Sequence, residues 1–490
     1  MNRPGSANGI RHIVIAGSGA EAAAAAAALA VSLRNSGVRI SLVGPVDGQS
    51  RVAAERVCGG GQAFHRRLGI DEEELIRETA ASYSLGTKFT GFGTASETVL
   101  VPRGAHGRNI RLVPFHHYWC KLRAAGSREE YNEYSLSASV VGSGDFTPPK
   151  GNTDPVVETL AYDIVVDPDL YAIYLRNFAA KLGVEIVNDS VSGSIGGPGG
   201  IIECLQLVGG GRQDGDFFVD CTSDRQLICV LDGSDDVDDW SGWFHCDRMI
   251  SVLTRKQPKP DLCAHVIAAE CGWLRRLTLQ NFTVESLAFR EEEFDDSDAR
   301  TSLEKNLKHP PVGKPELTAL RARSWRRPWL GNCVALGPAA VCLEPTLISC
   351  LQLALNATLR LLGMLPAARD NRMLATEFNR ICAEEHAGAR DYTMLHHALR
   401  DQPGGGLPGE TLRRSLPETL SRRIELFQAC GRLIVGEHEA FTEAEWASSM
   451  LNLGLLPANW NPLADMADQD RVAQSLKSFR DSVRQRSESR

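Results

Sequence analysis

The first clear signal along the chain is a short apolar run, His12-Ile13-Val14-Ile15-Ala16, rich in β-branched residues and too short for a helix. It predicts a buried strand. Gly17-Ser18-Gly19-Ala20-Glu21-Ala22 follows, and then an alanine-rich stretch ending near Arg34. Alanine is the best helix former and Gly37 supplies a stop, so a helix is expected there. Val38 to Val43 predicts a second strand. The three pieces make a β-α-β unit whose first turn nearly matches GxGxxG. In that pattern two glycines let the backbone approach a pyrophosphate seated on the helix N-terminus. Gly17 and Gly19 fill the first two positions and Ala22 the third, where the residue only mediates close helix–strand packing. The acid that follows the second strand in the fingerprint, and binds a ribose hydroxyl, is missing: the chain reads Val43-Gly44-Pro45. By itself the loop is compatible with dinucleotide binding and with a β-α-β unit that merely packs.

Further along, Asp167-Pro168-Asp169 reads as an N-cap with proline in the first turn, ahead of a helix from Leu170 to Leu182 stopped by Gly183. Phe217 to Val219 predicts a strand running into Asp220-Cys221-Thr222, and Asn332 to Gly337 a buried strand ending in glycine. Helical patterns cover 351–362, 373–399 and 416–456. Gly404-Gly405-Gly406 and Pro408 mark a flexible loop. Glu291-Glu292-Glu293 with Asp295-Asp296 reads as a solvated loop, and 475–490 as a frayed, solvated helix.

Composition narrows the classes. With 43% hydrophobic and 23% charged residues, the 490-residue chain is globular in character. Its 53 basic and 61 acidic side chains leave a formal charge of −8, with no long block of one sign, which argues against nucleic acid or an anionic membrane as partner. Ala22 to Leu33 is too short and too alanine-rich to span a bilayer. Thirteen scattered cysteines without CxxC, and no secretory leader, suit small core residues in a reducing, cytoplasmic setting. His116-His117 and His396-His397 are weak metal candidates: neighbours in sequence are expected to point to different sides, and no HExxH or cysteine spacing accompanies them.

The order of these segments resembles the flavin-dependent tryptophan halogenase family over nearly the whole chain. The β-α-β unit is one piece and Phe115-His116-His117-Tyr118-Trp119 another. Val219-Asp220-Cys221-Thr222, Cys246-Asp247-Arg248 and the segment from Gly272-Trp273 to Leu279-Gln280 follow in the family's order. So do Asn332-Cys333-Val334-Ala335-Leu336-Gly337 with Leu343-Glu344-Pro345, Arg390-Asp391-Tyr392 with His396, and Trp446 with Gly454 and Pro457. The resemblance implies reduced FAD supplied by a partner reductase, oxygen activated on it, and a bound halide converted to hypohalous acid. That acid reaches an aromatic substrate through a tunnel in which a lysine captures it and a glutamate polarises it. Tryptophans of a WxWxIP motif separate flavin from substrate.

At the reactive positions the chain departs from that pattern. Ser84, in Tyr83-Ser84-Leu85-Gly86, stands where the resemblance places the lysine, and a hydroxyl has no cationic nitrogen. Lys88, four residues on, is expected in a surface or ion-pair role. Leu347 stands where the glutamate belongs, in Glu344-Pro345-Thr346-Leu347-Ile348-Ser349. Trp273 matches the first tryptophan of the motif, while Arg275 and Thr278 replace the second tryptophan and the proline. Arg275 implies either a wetter region or an anionic ligand. The resemblance assigns cofactor contacts to Gly17, Gly19, Ala22, Glu55 and Gly337, and backbone contacts to a halide at Ser349 and Cys350. With Gly44 in place of the ribose acid, a lost charged hydrogen bond costs about 1.5–3 kcal/mol, so FAD is expected to bind weakly or not at all.

The expected fold is α/β, a Rossmann-like FAD-binding flavoprotein monooxygenase/halogenase architecture with a largely helical C-terminal part. Residues 1–11 form a disordered lead-in, 12–360 the FAD module with interleaved substrate-binding segments, 361–470 the helical part of the substrate module, and 471–490 a charged tail. Two functions stay open: flavin-linked chemistry on an aromatic small molecule with halogenation itself altered, or an inactive homologue that binds a ligand or a partner. A flavin reductase or a homologous halogenase is the expected partner, and a homodimer is allowed.

Overall fold

The computed structural model describes residues 9–45, 52–92, 98–149, 151, 154–223, 225–231, 236–256, 261–368, 371–399 and 416–488. Residues 1–8 of the lead-in expected over 1–11 and the glycine loop at 404–408 lie outside them, while Gly9 bridges to Ala368 and the Arg11 N–H donates to Asp216 at 2.9 Å, so the end of that lead-in is tied down. The chain divides into two compact units, each assembled from three stretches. Met1–Ala81, Val166–Gly242 and Leu320–Ala387 form the first, and Ser82–Val165, Trp243–Ala319 and Gly388–Arg490 the second.

In the first unit, β1 (His12–Ala16) lies inside a six-stranded sheet, between β2 (Arg39–Val43) and the strand Phe217–Asp220. Glu185–Val187 extends the sheet beyond β2, and Cys333–Ala335 with Trp329–Leu330 extends it on the other side. All pairings are parallel except the last, which is antiparallel. Every residue of β1 is buried, as an interior parallel strand covered on both faces requires. Helix α1 (Ala20–Ser32) follows β1 and packs against the helices Pro168–Lys181 and Cys350–Gly363. Its methyl side chains permit this close approach, and Ala22 through Leu29 are at most 2% exposed. The helix expected at 170–182 starts slightly earlier, at Pro168, with the Asp167 carboxylate accepting from the Asp169 and Leu170 N–H groups. This is the Rossmann-like arrangement read from the sequence.

The second unit centres on a seven-stranded mixed sheet. Its order is Pro311–Ala319, Arg248–Arg255, Phe282–Phe289, Gly272–Thr278, Ala264–Ala269, Gly86–Thr90 and Thr98–Pro102. One face packs Ile250, Val252, Leu274 and Leu287 with Ala299 and Leu303 of the helix Asp296–Asn306. Asp295 caps that helix through the Ser297 and Asp298 N–H groups, and Glu291–Glu293 form an exposed turn ahead of it, so of the acidic run only Asp296 lies in the helix. The segment read as helical from 416 to 456 is two helices, Glu418–Cys430 and Glu443–Asn452. Gly431, at φ +67°, ends the first, and a Thr442/Glu445 capping box starts the second.

The C-terminal helix Gln469–Glu488 differs from the solvated tail expected. Leu476 and Val483 are 3% and 1% exposed, and Val483 belongs to a core with Leu85, Leu136 and Val140. Arg480 pairs with Glu129 and Arg484 with Glu133 at 2.5 Å. A charged sequence hides an apolar stripe of this kind because few positions carry it. Among the described residues no helix is long and apolar enough to cross a membrane.

Candidate functional site

The glycine loop of the first unit is shaped by contacts that exclude side chains. Gly17 has φ +143°, and a Cβ there would stand 2.8 Å from the Cys221 carbonyl oxygen. Its N–H donates to the Val43 carbonyl at 2.9 Å. Gly44 presses on the same loop: a Cβ would lie 2.3 Å from the Gly17 oxygen. The missing ribose acid thus reflects backbone packing, since no side chain fits at 44. Ala22 touches the loop from the helix side, with its Cβ 3.1 Å from the Cβ position of Gly17. A cavity of about 300 Å³ opens here, lined among others by Gly17, Gly19, Glu21, Thr222 and Pro338.

Two buried groups hold Thr222 and Gly44, which line the cavity. The Asp220 carboxylate accepts from the Thr222 N–H (3.0 Å) and hydroxyl (2.6 Å), and from the Leu227 and Ile228 N–H groups (both 3.0 Å). Burial raises its pKa, and those donors oppose the shift. Arg176 donates to the Gly44 carbonyl at 2.8 Å. Gly337 comes in at φ +59°, and a Cβ there would stand 2.7 Å from Glu21 Cγ.

A second cluster of the same unit surrounds the start of the helix Cys350–Gly363. Ser349 caps it, its hydroxyl accepting from the Gln352 N–H at 3.3 Å. The Cys350 thiol is pushed well up, first by its hydrogen bond with Cys342, then by burial, with the charges of Cys342 and Glu55 adding to the effect. Cys342 moves oppositely, to about 7: the bond with Cys350 outweighs burial, and Arg323 and Arg321 assist. Ser349 and Cys350 are consecutive, and the charge of Glu55 reaches the Cys350 thiol. Leu347 is 5% exposed, and its carbonyl accepts from Arg56 Nη2 at 2.6 Å. The buried Glu344 carboxylate accepts from the Thr346 hydroxyl at 2.6 Å.

In the second unit, Trp273 is 1% exposed on the strand Gly272–Thr278, its ring 6.5 Å from that of His397. Arg275, two residues along on the same face, is buried and engaged within the protein, which is not the wetter region its sequence allowed. On the opposite face Arg276 pairs with Glu285 at 2.7 Å. Ser84 is buried, and its hydroxyl is fully used: it accepts from the Ala264 N–H at 3.2 Å and donates to the Gly86 carbonyl at 3.1 Å. Lys88 lies 3.7 Å from Asp261, an ion pair as expected. Ser84 sits opposite Asp163, which pairs with Arg103 at 2.9 Å, and Arg103 also reaches Glu445 at 2.6 Å.

The sequence pattern of the family described as tryptophan halogenase matches residues 12–469. The chain belongs to the tryptophan halogenase family. It is 24% identical to tryptophan 6-halogenase ThaL of Streptomyces albogriseolus over 442 residues, 86% of this chain and 82% of that protein. Tryptophan 7-halogenase RebH of Lentzea aerocolonigenes is 25% identical over 387 residues, 75% of this chain and 72% of RebH. Among solved structures, the flavin-dependent halogenases BrvH of Brevundimonas sp. BAL3 and Xcc4156 of Xanthomonas campestris are 27% and 28% identical. Their TM-scores are 0.90 and 0.91, each covering 98% of this chain and 96% of the other. Members of this family use FAD and halide, a separate flavin reductase and aromatic substrates.

The glycine loop opens onto the cavity of about 300 Å³, and the close contacts at Gly17 and Gly44 keep side chains out of the loop itself. Glu21, Arg176 and Cys342 were not singled out in the sequence. An acid inside the GxGxxA loop was the visible signal for Glu21, whereas Arg176 and Cys342 gave none. Among the described residues no group of three or more histidine, cysteine, aspartate or glutamate side chains is gathered as a metal site. His116 and His117 do not diverge as expected; their ring centroids are 4.1 Å apart.

Proposed function

We propose that this chain carries out flavin-linked chemistry on an aromatic small molecule, with the two reactive side chains of halogenation replaced by Ser84 and Leu347. The state of Ser84 carries this reading. Its hydroxyl is bound into the backbone at Ala264 and Gly86, so it offers no nitrogen to capture a hypohalous acid. Leu347 adds a buried apolar group where polarisation of the halogen would need a carboxylate.

Gly17, Gly19, Ala22 and Gly337 would hold the FAD, and Glu55, Ser349 and Cys350 would contact the cofactor and the halide. Bound and reduced, FAD supplies the electrons that activate oxygen. Trp273 would wall the aromatic substrate. Arg176, fixed on Gly44, keeps the end of β2 against the glycine loop. A second reading, an inactive homologue that binds a ligand or another halogenase, is favoured by the acid in the loop at Glu21.

The test is reconstitution of the full chain with FAD, a flavin reductase, NADH, bromide and indole. The first reading expects bound flavin and a changed substrate without bromine. Absence of bound flavin at high FAD sinks it in favour of the second.

A further inference from the structure

Glu21 belongs to the first turn of α1, and its carboxylate lies against the glycine cradle. Oε2 stands 2.7 Å from the position a Cβ on Gly19 would take, and Cγ 2.7 Å from that of a Cβ on Gly337. The same side chain lines the cavity of about 300 Å³. Its charge reaches Cys221, whose thiol is raised first by burial and next by Glu21. Position and cavity agree that the carboxylate sits inside the cradle.

The first turn of a helix presents unsatisfied N–H groups and a partial positive charge, which either a carboxylate or a phosphate can meet. The N-cap here is Gly19, which has no side chain, and the acid of the first turn is Glu21. Two anions cannot share that place, because like charges a few ångströms apart repel strongly where water is displaced.

We propose that Glu21 is an internal competitor for the phosphate site. Its carboxylate holds the N-terminus of α1 in the free protein, and a phosphate-bearing cofactor enters only by turning it away. The displacement is a side-chain rotation and breaks no bond. It makes FAD binding weaker than the cradle's shape alone would give. The role assigned to Glu21 rests on the flavin reading proposed above.

The experiment compares the full chain with Glu21→Gln, Glu21→Ala and, as a control for net charge, Glu203→Gln on an exposed strand position. FAD and inorganic pyrophosphate are titrated separately, by flavin fluorescence and by calorimetry. Both Glu21 variants are expected to tighten FAD and pyrophosphate at least tenfold, with Glu203→Gln unchanged. Unchanged or weaker FAD binding in the Glu21 variants overturns the role of Glu21 and leaves the flavin reading standing. Tighter pyrophosphate with no FAD bound by any form does the reverse. Equal tightening by Glu203→Gln also overturns it, because net charge would then suffice.

Discussion

The Ser84 hydroxyl accepts a hydrogen bond from the Ala264 N–H, 180 residues away in sequence, and so ties the short strand Ser82–Ser84 to the strand Ala264–Ala269, which belongs to a different sheet. Removing it should be a stability lesion. Ser84→Ala leaves the buried Ala264 N–H without that acceptor, at a cost of about 1–3 kcal/mol. Ser84→Lys is predicted to cost at least as much, since it also buries a charge. Urea unfolding of both variants checks this. A Ser84→Ala midpoint equal to wild type would show that the hydroxyl is not structural.

Gly44→Asp is the obvious way to restore the ribose acid, and it should fail. The Cβ it introduces would meet the Gly17 oxygen at 2.3 Å, and backbone cannot yield as a flexible side chain can. Expected outcomes are a lower melting temperature and no gain in FAD affinity. Tightened FAD binding with unchanged stability would contradict the packing described for Gly17 and Gly44.

Cys342 should be among the most reactive thiols of the chain. Its pKa is held down to about 7 by the bond with Cys350 and by Arg323 and Arg321, while burial pushes Cys120 and Cys382 up to about 12. Thiolate is the nucleophile, so brief iodoacetamide treatment near neutral pH should label Cys342 well before Cys120 or Cys382. Peptide mass mapping reads the order. Labelling of the buried thiols first would show that the Cys342 environment is misassigned.

Acid should weaken the fold before its carboxylates titrate. Burial lowers His65 and His106 to about 4 and His386 to about 3, from an ordinary 6.5. A lowered folded-state value means the unfolded chain takes up the proton first. The stability these residues confer is complete above the unfolded value and is lost as pH falls from there toward 4. Each contributes a slope of about 1.4 kcal/mol per pH unit within that window. The urea midpoint should therefore drop between about pH 7.5 and about pH 5.5. A flat or rising midpoint would mean these histidines are not held neutral.

Much of the fold was legible because its elements carry local signals. The apolar run of β1, the alanines of α1, the Asp167-Pro168 start and the strand ending at Asp220 each lie where propensity and capping put them. The buried face of the C-terminal helix was not, since Leu476 and Val483 stand among charges that pair with Glu129 and Glu133 far away in sequence. At the candidate site, residue types showed what stands at 84 and 347 but not that the Ser84 hydroxyl is consumed by backbone. Nor could they show that Gly44 has no room for an acid, because close backbone approach leaves no mark in composition.

The central claim is flavin-linked chemistry without halogenation, and the mass spectrum of the organic product tests it most directly. Full-length protein with FAD, a flavin reductase, NADH, oxygen and bromide is offered indole and tryptophan. The account predicts bound flavin and no brominated product. A bromine isotope doublet on either substrate, dependent on this protein, would contradict it.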